Sequence, residues 1–133
     1  MPAIKENPAI KEVPIDVKDI LIIEDEGEMC LLLNLILDDK DINLNHVKTL
    51  AAAKQYLEKA NPSLVLLDNR LPDGFGLDFI SYLKQHDPSI KIIMISGIDL
   101  AAQDVALENG ADIFLPKPFT KRQLQDSIRR LLN

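Results

Sequence analysis

Short apolar runs alternating with amphipathic helical segments predict an α/β fold, a doubly wound parallel sheet with helices on both faces. Three observations carry this. Ile20-Leu21-Ile22-Ile23, Leu64-Val65-Leu66-Leu67 and Ile92-Ile93-Met94-Ile95 are apolar without alternation, as strands buried on both faces must be. Each run is followed by apolar residues at helical spacing, and a crossover between parallel strands needs a helix. Each run also stops abruptly in polar residues, at Glu24-Asp25, Asp68 and Ser96. In an open α/β sheet those carboxyl ends share one edge, where ligands sit.

A chain of 133 residues fits one domain and is long enough to bury a core without disulfides or metal staples. Its composition, 47% hydrophobic and 27% charged, is that of a globular protein. No apolar stretch approaches the ~20 residues of a membrane span, and the N-terminus lacks a signal-peptide pattern, so no membrane association and a cytoplasmic location are expected. The single cysteine, Cys30, excludes an internal disulfide and a thiolate-rich metal site; within an apolar helical run it reads as core. A net charge of -6 argues against this domain gripping a nucleic-acid backbone.

The elements follow in order. Residues 1–18 hold a small duplication, Pro2-Ala3-Ile4-Lys5-Glu6 and Pro8-Ala9-Ile10-Lys11-Glu12, and their prolines predict a flexible leader before one domain over 19–133. After the first strand, a helix is expected from about Glu28 to Asp39, with Met29, Leu32, Leu33, Ile36 and Leu37 inward. Asn43 to Val47 is a weak second strand, suited to a sheet edge, and Thr49 caps a helix through Ala60. The third strand, Leu64 to Asp68, precedes the turn Pro72-Asp73-Gly74 and a helix from about Leu77 to Gln85 that Asp87-Pro88 stops. The fourth strand leads into a helix from about Leu100 to Asn109, ended by Gly110. Ile113-Phe114-Leu115 is a short fifth strand, and Thr120-Lys121-Arg122-Gln123 is a capping box opening the last helix. Spacing leaves the order of the five strands in the sheet open.

On one sheet edge Glu24, Asp25, Asp68, Ser96 and Lys117 would meet. Carboxylates about 5 Å apart repel by about 3 kcal/mol per pair at an effective dielectric near 20, so these acids want a cation or protons. An oxygen-only donor set favours Mg²⁺ over zinc. A lysine in a loop is ordinarily solvated. Lys117, however, lies between Pro116 and Pro118 directly after a buried strand, which fixes its direction.

Ile22-Ile23-Glu24-Asp25-Glu26, then Leu66-Leu67-Asp68 with Leu71-Pro72 and Gly74 behind it, then Ser96-Gly97, then Lys117-Pro118-Phe119 together resemble the signature of response-regulator receiver domains. The resemblance covers about 115 residues, from Asp19 to Asn133, with every motif in the family's order. It implies a five-stranded flavodoxin-like sheet in the order 2-1-3-4-5. It further implies that Asp68 accepts a phosphoryl group from a histidine kinase or a histidine phosphotransfer protein. Glu24 and Asp25 would hold Mg²⁺ with Asp68 and the backbone carbonyl of Arg70, while Ser96 and Lys117 would bind phosphoryl oxygens. Ser96 and Phe114 would form the switch that remodels the face of the fourth helix, fifth strand and fifth helix for a downstream protein target or effector domain.

Such a domain catalyses only its own phosphorylation and dephosphorylation. Two alternatives stand beside it. A haloacid-dehalogenase-type phosphatase would need a second aspartate where Arg70 stands, and a receiver-like interaction module that is never phosphorylated would not need the full set of site residues. Glu24 stands where many members have Asp, which is tolerable if that acid reaches the metal through water. Phe114 lacks the hydroxyl of the tyrosine found in some relatives. His46 and His86 read as ordinary surface residues. Asp104 and Glu108 lie on the fourth helix and Lys121, Arg122, Arg129 and Arg130 on the fifth, and an acidic helix beside a basic one is self-complementary under a two-fold axis, so a weak homodimer of the phosphorylated form is expected. The sequence stops at the end of the fifth helix, and a complete single-domain regulator, the first expectation, a phosphorelay intermediate and a receiver cut from a longer protein all stay open.

Overall fold

The computed structural model describes residues 17–97 and 100–132. Five parallel strands, β1 (Lys18–Ile23), β2 (Ile42–Val47), β3 (Leu64–Asp68), β6 (Lys91–Ser96) and β7 (Ile113–Pro116), form one sheet. Between β3 and β6 lies an antiparallel hairpin of two short strands, β4 (Arg70–Leu71) and β5 (Gly74–Phe75). The sheet order is β2-β1-β3-β6-β7, the flavodoxin-like 2-1-3-4-5 arrangement once the hairpin is left out of the count. The hairpin is an addition to the expected elements, because a turn at Pro72-Asp73 was legible but its two flanking residue pairs were not. The leader assigned to residues 1–18 falls mainly on residues 1–16, outside the described residues.

Four helices cross between the strands, α1 (Gly27–Ile36), α2 (Leu50–Lys59), α3 (Gly76–His86) and α4 (Leu100–Glu108), and α5 (Lys121–Leu132) follows the last strand. The starts of α2 and α5 carry the expected caps. Ala52 N–H donates to Thr49 Oγ1 at 3.0 Å, and Thr120 and Gln123 each donate a backbone N–H to the other's side chain, at 2.8 and 3.0 Å. Gly110 ends α4 region with φ +117, a conformation that favours glycine.

Strand alternation sorts the apolar residues onto two faces. Leu21, Ile23, Val65, Leu67, Ile92 and Met94 meet Ala53 and Leu57 of α2, Phe79, Ile80 and Leu83 of α3 and Ala106 of α4. On the other face Ile20, Ile22, Leu64, Leu66, Ile93, Ile95 and Leu115 meet Leu33 of α1 and Leu124 and Ile128 of α5. Both faces are therefore buried, and each such Leu or Ile contributes roughly 1.5–3 kcal/mol relative to exposure. No helix among the described residues is long and apolar enough to cross a membrane.

One inward assignment is corrected. Leu32 is 42% exposed, as Leu31 and Leu35 also are to a larger degree, while Cys30, Leu33 and Leu37 face the sheet. The run Leu31-Leu32-Leu33 offers no unique apolar face, so the stripe was decided by how α1 lies on β1 and β3. The helix also stops at Ile36, short of Asp39, where Leu37 N–H closes the last turn onto Leu33 C=O.

Candidate functional site

Glu24, Asp25, Asp68, Ser96 and Lys117 each sit at a strand's carboxyl end because the apolar run that precedes them is drawn into the core. Glu24, at 2% exposure, and Asp68, at 7%, are the buried carboxylates; Asp25 beside them is exposed. Ser96 ends β6, and its C=O accepts the Lys117 backbone N–H at 2.7 Å, which ties the loop after β7 to the end of β6. The Lys117-Pro118 peptide bond is cis. The Lys117 ammonium then lies 3.1 Å from Asp68 Oδ1 and 3.9 Å from Glu24 Oε1. Glu24, Asp25, Asp68, Arg70, Ser96 and Lys117 line one pocket of about 290 Å³, with Glu26 and Gly97. Phe114 is apart from it: it pairs with Met94 in the sheet and packs half-buried against the α2–α3–α4 side of the core.

Glu24, Asp25 and Asp68 each offer a carboxylate oxygen, and these oxygens lie within 4.8 Å of one another. At that separation each ionised pair costs about 3 kcal/mol at an effective dielectric near 20. A proton relieves part of this. Burial, and after it the charge of Asp68 and a hydrogen bond with its carboxyl, push Glu24 up to about 7; the Glu26 amide and the Lys117 ammonium pull the other way. Glu26 N–H donates to Glu24 Oε2 at 3.1 Å. A hard divalent cation would do the same work as the proton, since every donor is oxygen and the group is already held together by the fold.

The profile of the response regulator receiver domain matches residues 20–129. This chain belongs to that family. Among curated relatives, the transcriptional regulatory protein BasR of Escherichia coli K12 is 35% identical over 114 residues, which span 85% of this chain and 51% of BasR. The chain thus spans about half of that regulator's length. Among solved structures, a CheY-like response regulator receiver domain protein from Methanospirillum hungatei JF-1 superposes with a TM-score of 0.81 at 27% identity, covering 87% of this chain and 94% of the other. The beryllofluoride-activated NtrC4 receiver domain dimer superposes with a TM-score of 0.82 at 28% identity, covering 87% and 97%.

The loop that follows Asp68 is held by residues whose roles the sequence alone does not show. The glycine with a close approach is Gly76, two residues beyond the Gly74 named in the motif: a Cβ there would stand 2.1 Å from the Asp68 carbonyl oxygen. Gly76 N–H donates to Asn69 C=O at 2.7 Å and Leu77 N–H to Asn69 Oδ1 at 3.0 Å, so the first turn of α3 is pinned beneath Asp68. Asp73, read only as a turn residue, accepts from Leu50 and Ala51 N–H at 2.9 and 3.0 Å and so joins the hairpin to the start of α2. Those two amides hold its carboxyl below the usual carboxylate range. Asn69 and Asp73 beside a Pro-Asp-Gly turn were visible as cap-type residues; their distant partners were not.

The histidines divide. His86 is an exposed residue whose ring stacks on Tyr82. His46 is half-buried and touches the acidic loop, with Nε2 2.7 Å from the Glu24 carbonyl oxygen, so it is no ordinary surface residue. Cys30 is buried as expected. Burial, then the nearby Glu24 carboxyl, pushes its thiol up, which keeps it protonated and able to donate toward the same carbonyl at 3.5 Å.

Proposed function

We propose that this receiver takes a phosphoryl group onto Asp68 from the phosphohistidine of a histidine kinase or histidine phosphotransfer protein. It then signals through the face made by α4, β7 and α5 to a downstream protein or effector domain. The observation that carries this reading is the buried Asp68 carboxylate at the sheet edge, 3.1 Å from the Lys117 ammonium and grouped with two further acids. Asp68 attacks the phosphorus through a carboxylate oxygen; the new O–P bond forms as the P–N bond breaks, and the bonding pair stays on the departing imidazole nitrogen. Lys117 and the Ser96 hydroxyl bind phosphoryl oxygens, placed for it by the Lys117 N–H to Ser96 C=O bond. Mg²⁺ held by Asp25, Asp68, the Arg70 carbonyl and Glu24 would supply positive charge against the transferring group's oxygens. Beyond this self-modification the domain is not an enzyme, and its place is the cytoplasm.

Phosphorylation draws Ser96 toward the phosphoryl group and lets Phe114 turn inward, which remodels the α4–β7–α5 face. The dimeric state of the activated NtrC4 receiver supports pairing of activated molecules here too. The direct test is intact-mass analysis after incubation with a small acyl-phosphate donor. One added phosphoryl is expected with Mg²⁺, and none with a chelator or in Asp68→Asn. Equal labelling of that variant would remove Asp68 from its role, and a wild-type protein that never labels from donor or kinase would make the domain an unphosphorylated interaction module.

A further inference from the structure

The β1–β2 ladder runs out at the acidic loop. Glu24 N–H donates to Val47 C=O at 3.0 Å; just beyond Val47 the chain leaves the sheet, and Thr49 takes up its role as the cap of α2. The carbonyl of the same residue is met by side chains. His46, paired with Ile22 near the end of β2, brings Nε2 to 2.7 Å, and Cys30 from the first turn of α1 brings Sγ to 3.5 Å. Sγ and Nε2 are themselves 2.8 Å apart.

Proton accounting fixes the roles. A carbonyl oxygen only accepts, so a 2.7 Å approach by Nε2 requires the hydrogen on Nε2, whether the ring is neutral or cationic. An unprotonated Nε2 would set two lone pairs against each other. With Nε2–H shared between the carbonyl oxygen and Cys30 Sγ, 2.8 Å away, the thiol hydrogen is free to point at the oxygen's second lone pair. One carbonyl is thereby tied to β2 and to α1 at once.

That carbonyl belongs to the peptide joining Glu24 to Asp25, and the peptide is a rigid plane from one Cα to the next. Holding its oxygen restrains rotation of that plane, and with it ψ of Glu24 and φ of Asp25, which set how the two carboxylate side chains leave the backbone. We infer that His46 is a positioning residue for the metal-binding acids, acting through the Glu24 carbonyl as an outer-shell donor. The inference rests on the proposal that Glu24 and Asp25 hold Mg²⁺. Partners bonded directly to ligating side chains are typically worth about 10- to 100-fold in metal affinity, and His46, which acts one peptide group away, belongs at the low end.

The test is a Mg²⁺ titration of the whole chain without phosphodonor, followed by the amide shifts of Asp25 and Glu26, for wild type, His46→Phe and His46→Gln. His46→Phe should weaken Mg²⁺ about tenfold, and His46→Gln, which restores an N–H donor at similar reach, should recover most of the loss. Equal affinity in wild type and His46→Phe overturns the inference, as does a glutamine variant no better than phenylalanine, because packing alone would then explain the loss. A wild-type protein whose Asp25 and Glu26 amides ignore Mg²⁺ overturns the metal reading first, and that failure shows before any variant is made. The wild-type ring provides an independent check if the phenylalanine variant does not fold: imidazole nitrogen shifts should show the hydrogen on Nε2, and an Nδ1–H tautomer overturns the inference.

Discussion

Without metal, the receiver should lose stability as pH rises through neutrality, and Glu24 should be the cause. Its carboxyl goes from an ordinary value of 4.5 to about 7 on folding, so the folded state holds a proton that the unfolded chain has released. The stabilisation is complete below 4.5 and is lost as pH climbs through about 7. At about 1.4 kcal/mol per unit, the whole change is on the order of 3 kcal/mol. The side chain is only 2% exposed, but it borders an open pocket whose water softens the penalty, so roughly 2 kcal/mol between pH 5 and 8 is the working figure. Glu24→Gln keeps a neutral group of the same shape and abolishes the titration. Urea unfolding with chelator present, followed by circular dichroism at pH 5, 6, 7 and 8, should therefore show wild type falling relative to Glu24→Gln by that amount. Adding Mg²⁺ at pH 8 should recover the loss in wild type and do little for the glutamine variant. If the two proteins decline in parallel from pH 5 to 8, the proton is not on Glu24 and the electrostatic argument for the site fails.

Three further outcomes follow from named contacts. Lys117→Ala should uncouple phosphorylation from the switch face, because the phosphorylated site carries about -4 from acids and phosphate against +3 from metal and lysine, and the residual charge doubles without Lys117; amide shifts on α4 and β7 that respond to beryllofluoride as fully as in wild type would contradict this. Gly76→Ala drives a Cβ to 2.1 Å from the Asp68 carbonyl oxygen, whereas a Cβ at Gly27 meets nothing within 4 Å; urea midpoints should show a loss of about 3 kcal/mol or more for the first and no loss for the second. Beryllofluoride with Mg²⁺ should produce a salt-sensitive dimer in sedimentation, paired through exposed Lys121, Arg122 and Arg130, with Arg129 contributing less because Asp126 already holds it at 2.8 Å; a monomer at low and high salt alike would assign this face to another partner.

Much of the fold was legible because its signals are local. Apolar runs of strand length, helical spacing behind them and cap residues such as Thr49 and Thr120 each report on burial or hydrogen bonding within a few neighbours. The site was legible for a related reason: parallel topology sends every strand's carboxyl end to one edge, so Glu24, Asp25, Asp68, Ser96 and Lys117 had to approach one another once the strands were placed. Strand order was different. No residue's spacing encodes it, and it came from the family resemblance before the sheet itself displayed it.

The sequence by itself determined which segments become the five parallel strands and the five helices, and which acids, hydroxyl and ammonium share the sheet edge. Tertiary structure alone decided which leucines of α1 face the core, because Leu31, Leu32 and Leu33 are chemically alike and only the helix's seat on the sheet separates them. It decided that Gly76 is the glycine that Asp68 cannot do without, since the limiting contact is with a backbone oxygen eight residues away. It also turned His46 from a surface histidine into a ligand of the Glu24 carbonyl and left Glu24 with a proton near neutrality. These last properties depend on distances between groups remote in the chain, on the order of a hydrogen bond's length, and no local pattern of residue types carries distances of that kind.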